Sequence, residues 1–172
     1  MFIAHLPAGY LLARQLSKNR PARKWLIVTG LCASVLPDLD LLWFYLVDGR
    51  QTVHHAYLFH TPLFWVAVAA AAFAIARLTG RRAAEPFTGM ALLCLMLHMV
   101  LDSIAAEIAW FRPFADHEIN LVHVPARYGW WVWNFVLHWT FLLEIAIIAA
   151  AGIALWRDGK ARSVARGAPG KG

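Results

Sequence analysis

"HHAYLFHTPLFWVAVAAAAFAIA" (residues 54–76) places three histidines within seven positions and follows them with an uncharged apolar run. Thr61 suits a helix cap and Pro62 suits the first helical turn, so a helix is expected to begin there. Apolar stretches of about 20 residues cross a bilayer. A second long run, residues 130–156, carries a single charge, Glu144. The chain has 172 residues, of which 60% are hydrophobic, and its mean hydropathy is +0.55. Soluble domains are about half apolar. The excess here lies in the long runs, which points to an integral membrane protein.

Working outward, four spans are expected, over about 24–47 (interrupted by Pro37), 61–79, 87–110 and 130–156. Pro86 opens the third as Pro62 opens the second. Residues 1–16 form a shorter apolar helix. The fold class is therefore all-α, an integral membrane bundle of about four transmembrane helices plus a short N-terminal helix. Residues 1–157 read as one membrane-embedded domain, and 158–172 as a basic, disordered cytoplasmic tail against anionic headgroups. A signal peptide places its positive charges before its apolar core. The opening "MFIAHLPAGYLLARQLSKNR" has the reverse order, so that reading is set aside. Cys32 and Cys94 both fall in expected spans and indicate no redox compartment.

The net charge of +6 is not a nucleic-acid footprint, because the cations sit in short blocks beside the spans. Residues 14–24 hold Arg14, Lys18, Arg20, Arg23 and Lys24. Residues 77–82 hold Arg77, Arg81 and Arg82, and the C-terminal stretch holds Arg157, Lys160, Arg162, Arg166 and Lys171. If the spans alternate, these thirteen of sixteen basic residues share one side, leaving Arg50, Arg112 and Arg127 on the other. The positive-inside rule places the larger group in the cytoplasm and the loops 48–60 and 111–129 outside. All eight histidines then fall toward the outer side. No local rule demands that, and a common site would produce it.

Four stretches carry chemistry. In "LHMVLDS" (97–103), His98 and Asp102 lie at i and i+4, on one helix face, a natural two-ligand metal clamp. A polar pair between helices is the alternative. In "SVLPDLDLLW" (34–43), Asp38 and Asp40 stand at a proline-broken point of an apolar segment, and irregular backbone at membrane depth is tolerated where it lines a polar cavity. In the opening stretch His55 and His60 stand just before the second span, with His54 as a third ligand or a solvated neighbour. In "WWVWNFVLHWTFLLE" (130–144), Asn134 and His138 stand at i, i+4 beneath an aromatic belt of Tyr128, Trp130, Trp131, Trp133 and Trp139. Glu144 needs a partner that the sequence does not name. Glu107, His117 and His123 have no assigned role.

The order His5, "LPDLD", His55-x4-His60-Thr61, "HMVLDS" and "FRPF" resembles the membrane-bound metal-dependent hydrolase family, inner-membrane proteins of bacteria, some described as LexA-regulated. The match runs over roughly residues 1–115. This chain has Ala56-Tyr57 where that family often has Arg-Gly, and "SIAAEIAW" where a glycine commonly follows HxxxD. A more distant similarity, in the order of ligand types, is to zinc-dependent phospholipase C. It implies His5, Asp38, His60, His98, Asp102 and His138 as metal ligands. His55 is added from its own position.

Two functional readings result. The first is a metal-dependent hydrolase, with His5, Asp38, His55, His60, His98, Asp102 and His138 holding one or more divalent metals, zinc foremost, and Asp40 and Asp102 as catalytic groups. Mixed imidazole and carboxylate ligands suit Zn²⁺ or Mn²⁺. Such an ion lowers the pKa of water and polarises a phosphoryl or acyl oxygen. The expected substrate is a phosphoester of a lipid or another amphipathic molecule, met at the outer leaflet. The second reading is a non-catalytic haem or metal carrier, with His98 and His138 as axial haem ligands. The carboxylates argue against haem.

Overall fold

The computed structural model describes residues 3–52 and 54–167. It is all-helical, and no strand occurs among the described residues. Seven α-helices follow one another: α1 His5–Leu16, α2 Arg23–Ala33, α3 Asp40–Leu46, α4 Pro62–Leu78, α5 Glu85–Asp102, α6 Trp131–Val136 and α7 Phe141–Gly167. Short 3-10 turns at Pro37–Leu39, His54–Ala56, Leu58–His60 and Arg82–Ala84 join them. One isolated bridge, Ile108 to Ile119, ties the long loop after α5.

α5 is the central helix, packed against α1, α2 and α4. Its buried stripe, Met90, Cys94, Leu95, His98, Met99, Leu101 and Asp102, is apolar for three turns and then ends in a histidine and a carboxylate. The core beside it gathers Ala13, Leu26, Ala33 and Trp65 with Met90 and Cys94. Small residues let the first two helices approach closely. A methyl group on Gly9 would overlap the Ser34 side chain, and one on Gly30 would come within 2.6 Å of the Ala13 Cβ.

By length and composition, one helix is apolar enough to cross a membrane alone, Arg82–Asp102 with its leading turn. The pair Arg23–Ala33 and Pro37–Leu46 qualifies together, bent by 45° at the proline break. α4 is apolar but has 17 residues. The expected fourth span is not one helix. It breaks at 137–140 between α6 and α7, and Glu144, Arg157 and Asp158 then bracket the apolar part of α7. The third expected span ends at Asp102 instead of 110, because Ser103 turns the chain: its carbonyl accepts the Leu121 amide at 2.8 Å. α7 runs ten residues past 157, through most of the basic stretch read as a disordered tail. The remainder of that stretch, 168–172, lies outside the described residues. Thr61 does stand at the N-cap of α4, but its hydroxyl makes no capping bond; Pro62 occupies the first turn as expected.

The two ends of the bundle differ. At one end Asp158 of α7 is gripped by Arg14 of α1 through two bonds, Nη2 to Oδ1 at 2.6 Å and Nε to Oδ2 at 3.0 Å, and by Arg23 of α2 at 3.3 Å. Arg77 pairs with Glu85 where α4 turns into α5. The start of α1, the C-terminus of α2, the start of α4 and the C-terminus of α5 meet at the other end. The flanks between them expose large apolar side chains, among them Leu42, Leu46, Ile75, Leu93, Ile145 and Ile153.

Candidate metal centre

The opposite ends of antiparallel helices bring six sequence-distant groups to one place. His98 and Asp102 come from the last turn of α5. His5 opens α1, Asp38 sits in the 3-10 turn after Pro37, and His55 and His60 come from the turns before α4. His5, His60, His98 and Asp102 are buried, and His55 is mostly so. Asp38 is the open edge, with its side chain 32% exposed.

Asp102 is the hub. Its Oδ1 lies 3.0 Å from His5 Nε2. Its Oδ2 lies 3.0 Å from His98 Nε2, 3.6 Å from His60 Nε2 and 3.7 Å from His55 Nε2. The His60 and His98 Nε2 atoms are 3.4 Å apart, and Asp38 Oδ1 is 3.9 Å from the first and 3.7 Å from the second. The His5 and His98 rings stack with centroids 3.8 Å apart. Two neighbouring groups that share no residue, His5 with Asp38 and His98, and His55 with His60 and Asp102, each have their ligand atoms within 4.8 Å of one another and could hold a metal ion.

Two histidines are oriented from behind. The carbonyl of Ser34, one of the unpaired carbonyls at the end of α2, accepts a hydrogen bond from His98 Nδ1 at 2.8 Å. The close packing of Gly9 on Ser34 helps fix that carbonyl. Asp40 Oδ2 accepts from His60 Nδ1 at 2.6 Å. A neutral imidazole that donates from Nδ1 has its lone pair on Nε2, so both lone pairs point at the shared space. Metal-bound histidines are commonly held this way, by a carboxylate or carbonyl on the far nitrogen. Atoms bound tetrahedrally at zinc-ligand distances stand roughly 3.3–3.4 Å apart. The observed spacings of 3.0, 3.4 and 3.6 Å among His60, His98 and Asp102 bracket that value. The donor set therefore fits a divalent cation.

Two expected roles change. Asp40, read as catalytic, faces the far side of His60 and orients it; its Oδ1 makes no hydrogen bond among the described residues. His138, read as a ligand, stands in the break between α6 and α7 and shares a 3.0 Å hydrogen bond with the Thr140 hydroxyl. With the helix interrupted there, i, i+4 spacing no longer brings Asn134 and His138 together. Asn134 Oδ1 instead accepts the amides of Arg127 and Tyr128. The haem reading, which needs His98 and His138 as a pair, loses its geometry: His98 is packed among Asp102, His60 and His5. His117, His123 and Glu107 are exposed. The His54 side chain lies outside the described atoms.

One role was not named from the sequence. Glu144 is buried on α7, and its Oε2 accepts the amides of Ile3 (2.5 Å) and Ala4 (3.1 Å) at the head of α1. The available signal was a lone carboxylate in an apolar run, which must find donors. Unpaired amides at a helix start are such donors. Glu144 thus holds the turn that carries His5.

Fold and site together define a helical protein with apolar flanks and a buried histidine–carboxylate cluster able to hold a metal ion. The chain belongs to the YdjM inner membrane protein family, which it matches over residues 1–162. It is an inner membrane protein. No curated protein and no solved structure matches it, and no similarity to a hydrolase or to phospholipase C is found.

Proposed function

We propose that this protein is a multi-pass metal-dependent hydrolase whose site faces the extracytoplasmic side and acts on a phosphoester of an amphipathic substrate. One observation carries the reading. The Nε2 atoms of His60 and His98, each turned inward by a fixed acceptor on Nδ1, converge with Asp102 at metal-ligand spacing.

His60, His98, Asp102 and Asp38 would hold one ion, and His5 and His55 lie where the second oxygen of Asp102 or a neighbouring ion is reached. Zinc suits the mixed imidazole and carboxylate donors. When bound, such an ion supplies Lewis-acid polarisation of a phosphoryl oxygen and lowers the pKa of water. The chain's own residues do the rest. Asp40 keeps the Nδ1 proton on His60, and Ser34 keeps it on His98. Substrate reaches the cluster from its open edge, at Asp38 and His55. Next to that edge, Leu39, Asp40, Leu42, Trp43, Tyr57 and Leu58 line a cavity of about 440 Å³. Its apolar walls suit the hydrocarbon part of a substrate whose phosphoester lies at the cluster. The orientation follows from charge: Arg14, Arg23, Arg77 and Lys160 lie at the end of the bundle opposite the histidines, and basic residues favour the cytoplasmic side.

The test is release of phosphate or headgroup from a panel of phospholipids by purified protein, with and without chelator. Asp102→Asn preserves shape but removes the charge that would hold a cation, so activity should be abolished in the variant and by chelation. Activity that survives both would overturn the reading.

A further inference from the structure

The basic end of the bundle holds a second cavity. It measures about 450 Å³ and lies between α1, α2 and α7, with Tyr10, Arg23, Lys24, Val28, Leu155 and Asp158 among its lining residues. We propose that this cavity binds the headgroup and upper acyl chain of an anionic phospholipid of the cytoplasmic leaflet.

The charge balance favours an anion. Arg23 and Lys24 line the cavity with one carboxylate, Asp158, which Arg14 and Arg23 already neutralise. Arg14 takes both oxygens of that carboxylate. Arg23 keeps a single 3.3 Å bond to it, and the Arg23 Nε is buried and donates to nothing among the described residues. Lys24 makes no ion pair among them; its Nζ stands 5.6 Å from the centre of the Trp25 ring. α2 also begins here, and no side chain caps its first turn. A phosphodiester would accept from Arg23 and Lys24 together, and basic pockets between membrane helices on the cytoplasmic side suit such headgroups.

The walls favour a lipid over free phosphate. Ile27 and Val28 lie one turn along α2 from the cations, toward the middle of the bundle. Val28 and Leu155 are 39% and 56% exposed, so the cavity opens sideways onto the apolar flank. Trp25 and Trp156, 62% and 65% exposed, carry Lys24 and Lys160 over their rings at 5.6 Å each. Exposed tryptophans beside lysines mark a membrane–water boundary, which sets the headgroup at the level of Arg23.

The experiment uses the full chain in neutral detergent. Its thermal unfolding is followed by tryptophan fluorescence while dihexanoyl phosphatidylglycerol, dihexanoyl phosphatidylcholine or inorganic phosphate is added. Phosphatidylglycerol alone should raise the midpoint. Lys24→Gln, which breaks no ion pair, should weaken its apparent affinity about fivefold, the share of one cation near a charged surface. Arg20→Gln, an exposed cation that does not line the cavity, should leave the affinity unchanged. Equal stabilisation by phosphatidylcholine, or by phosphate alone, would overturn the proposal. So would an equal loss in Arg20→Gln, which would make the attraction diffuse.

Discussion

At the scale of single residues, Asp40 and the Ser34 carbonyl decide what His60 and His98 can do. Each accepts a hydrogen bond from Nδ1 and so leaves the Nε2 lone pair facing the cluster. Partners of this kind change metal affinity about 10- to 100-fold. Asp40→Asn should therefore weaken zinc binding by about that factor, measured by competition with a chromophoric chelator, while far-ultraviolet circular dichroism stays unchanged. The HxxxD pair was legible in the sequence because a helix repeats its faces every three to four residues. His55, His60 and Asp38 were legible because histidines and a carboxylate at a span mouth need partners. Asp40 was noticed, but its role depends on a hydrogen bond across 20 residues of chain, which no spacing encodes. His138 lies past the end of the helix that precedes it, which stops at Val136, and its Nδ1 meets the Thr140 hydroxyl.

Among the elements, α1 is fastened at both ends to α7. Glu144 receives its first amides and Asp158 receives Arg14. Glu144, Ala151, Ala154 and Asp158 form one stripe of α7, since their spacings of seven, three and four residues keep them on one helix face. Glu144→Gln should lower the unfolding midpoint and also weaken metal binding, because the turn that holds His5 loses a charged acceptor; hydrogen bonds to charged groups are worth about 1.5–3 kcal/mol. At the other end, the Asp158 carboxyl is drawn from 3.8 down to about 2, chiefly by its bonds from Arg14. A depressed folded-state value stabilises the protein above the ordinary carboxylate pKa, and that gain is lost as pH falls toward about 2. Asp158→Asn should accordingly flatten the fall of the unfolding midpoint between about pH 4 and about pH 2. Neither clamp was legible beforehand, because both join residues more than 135 positions apart.

For the whole molecule, the separation of basic residues from histidines is visible in the sequence once helices are alternated, and among the described residues Arg14, Arg23 and Arg77 lie at the end of the bundle away from the cluster around Asp102. The number of spans was less legible. The interruption at Pro37 is expected from the sequence, but the 130–156 run reads as a single helix, whereas the 137–140 break divides it, and α4 is short. Sidedness is testable directly. In a Cys32→Ser background, Gln51→Cys should react with an impermeant thiol reagent in intact cells and Arg81→Cys should not. The reverse pattern would place the histidine cluster in the cytoplasm.

The central claim is that the cluster around Asp102 holds a metal. Elemental analysis of the detergent-purified protein tests it most directly, on wild type and on His98→Ala combined with Asp102→Ala. The account predicts at least one tightly held divalent transition metal per wild-type chain and its loss in the double variant, with helical content retained. A wild-type protein that takes up no such metal when it is supplied, or a double variant that keeps the wild-type stoichiometry, would contradict it.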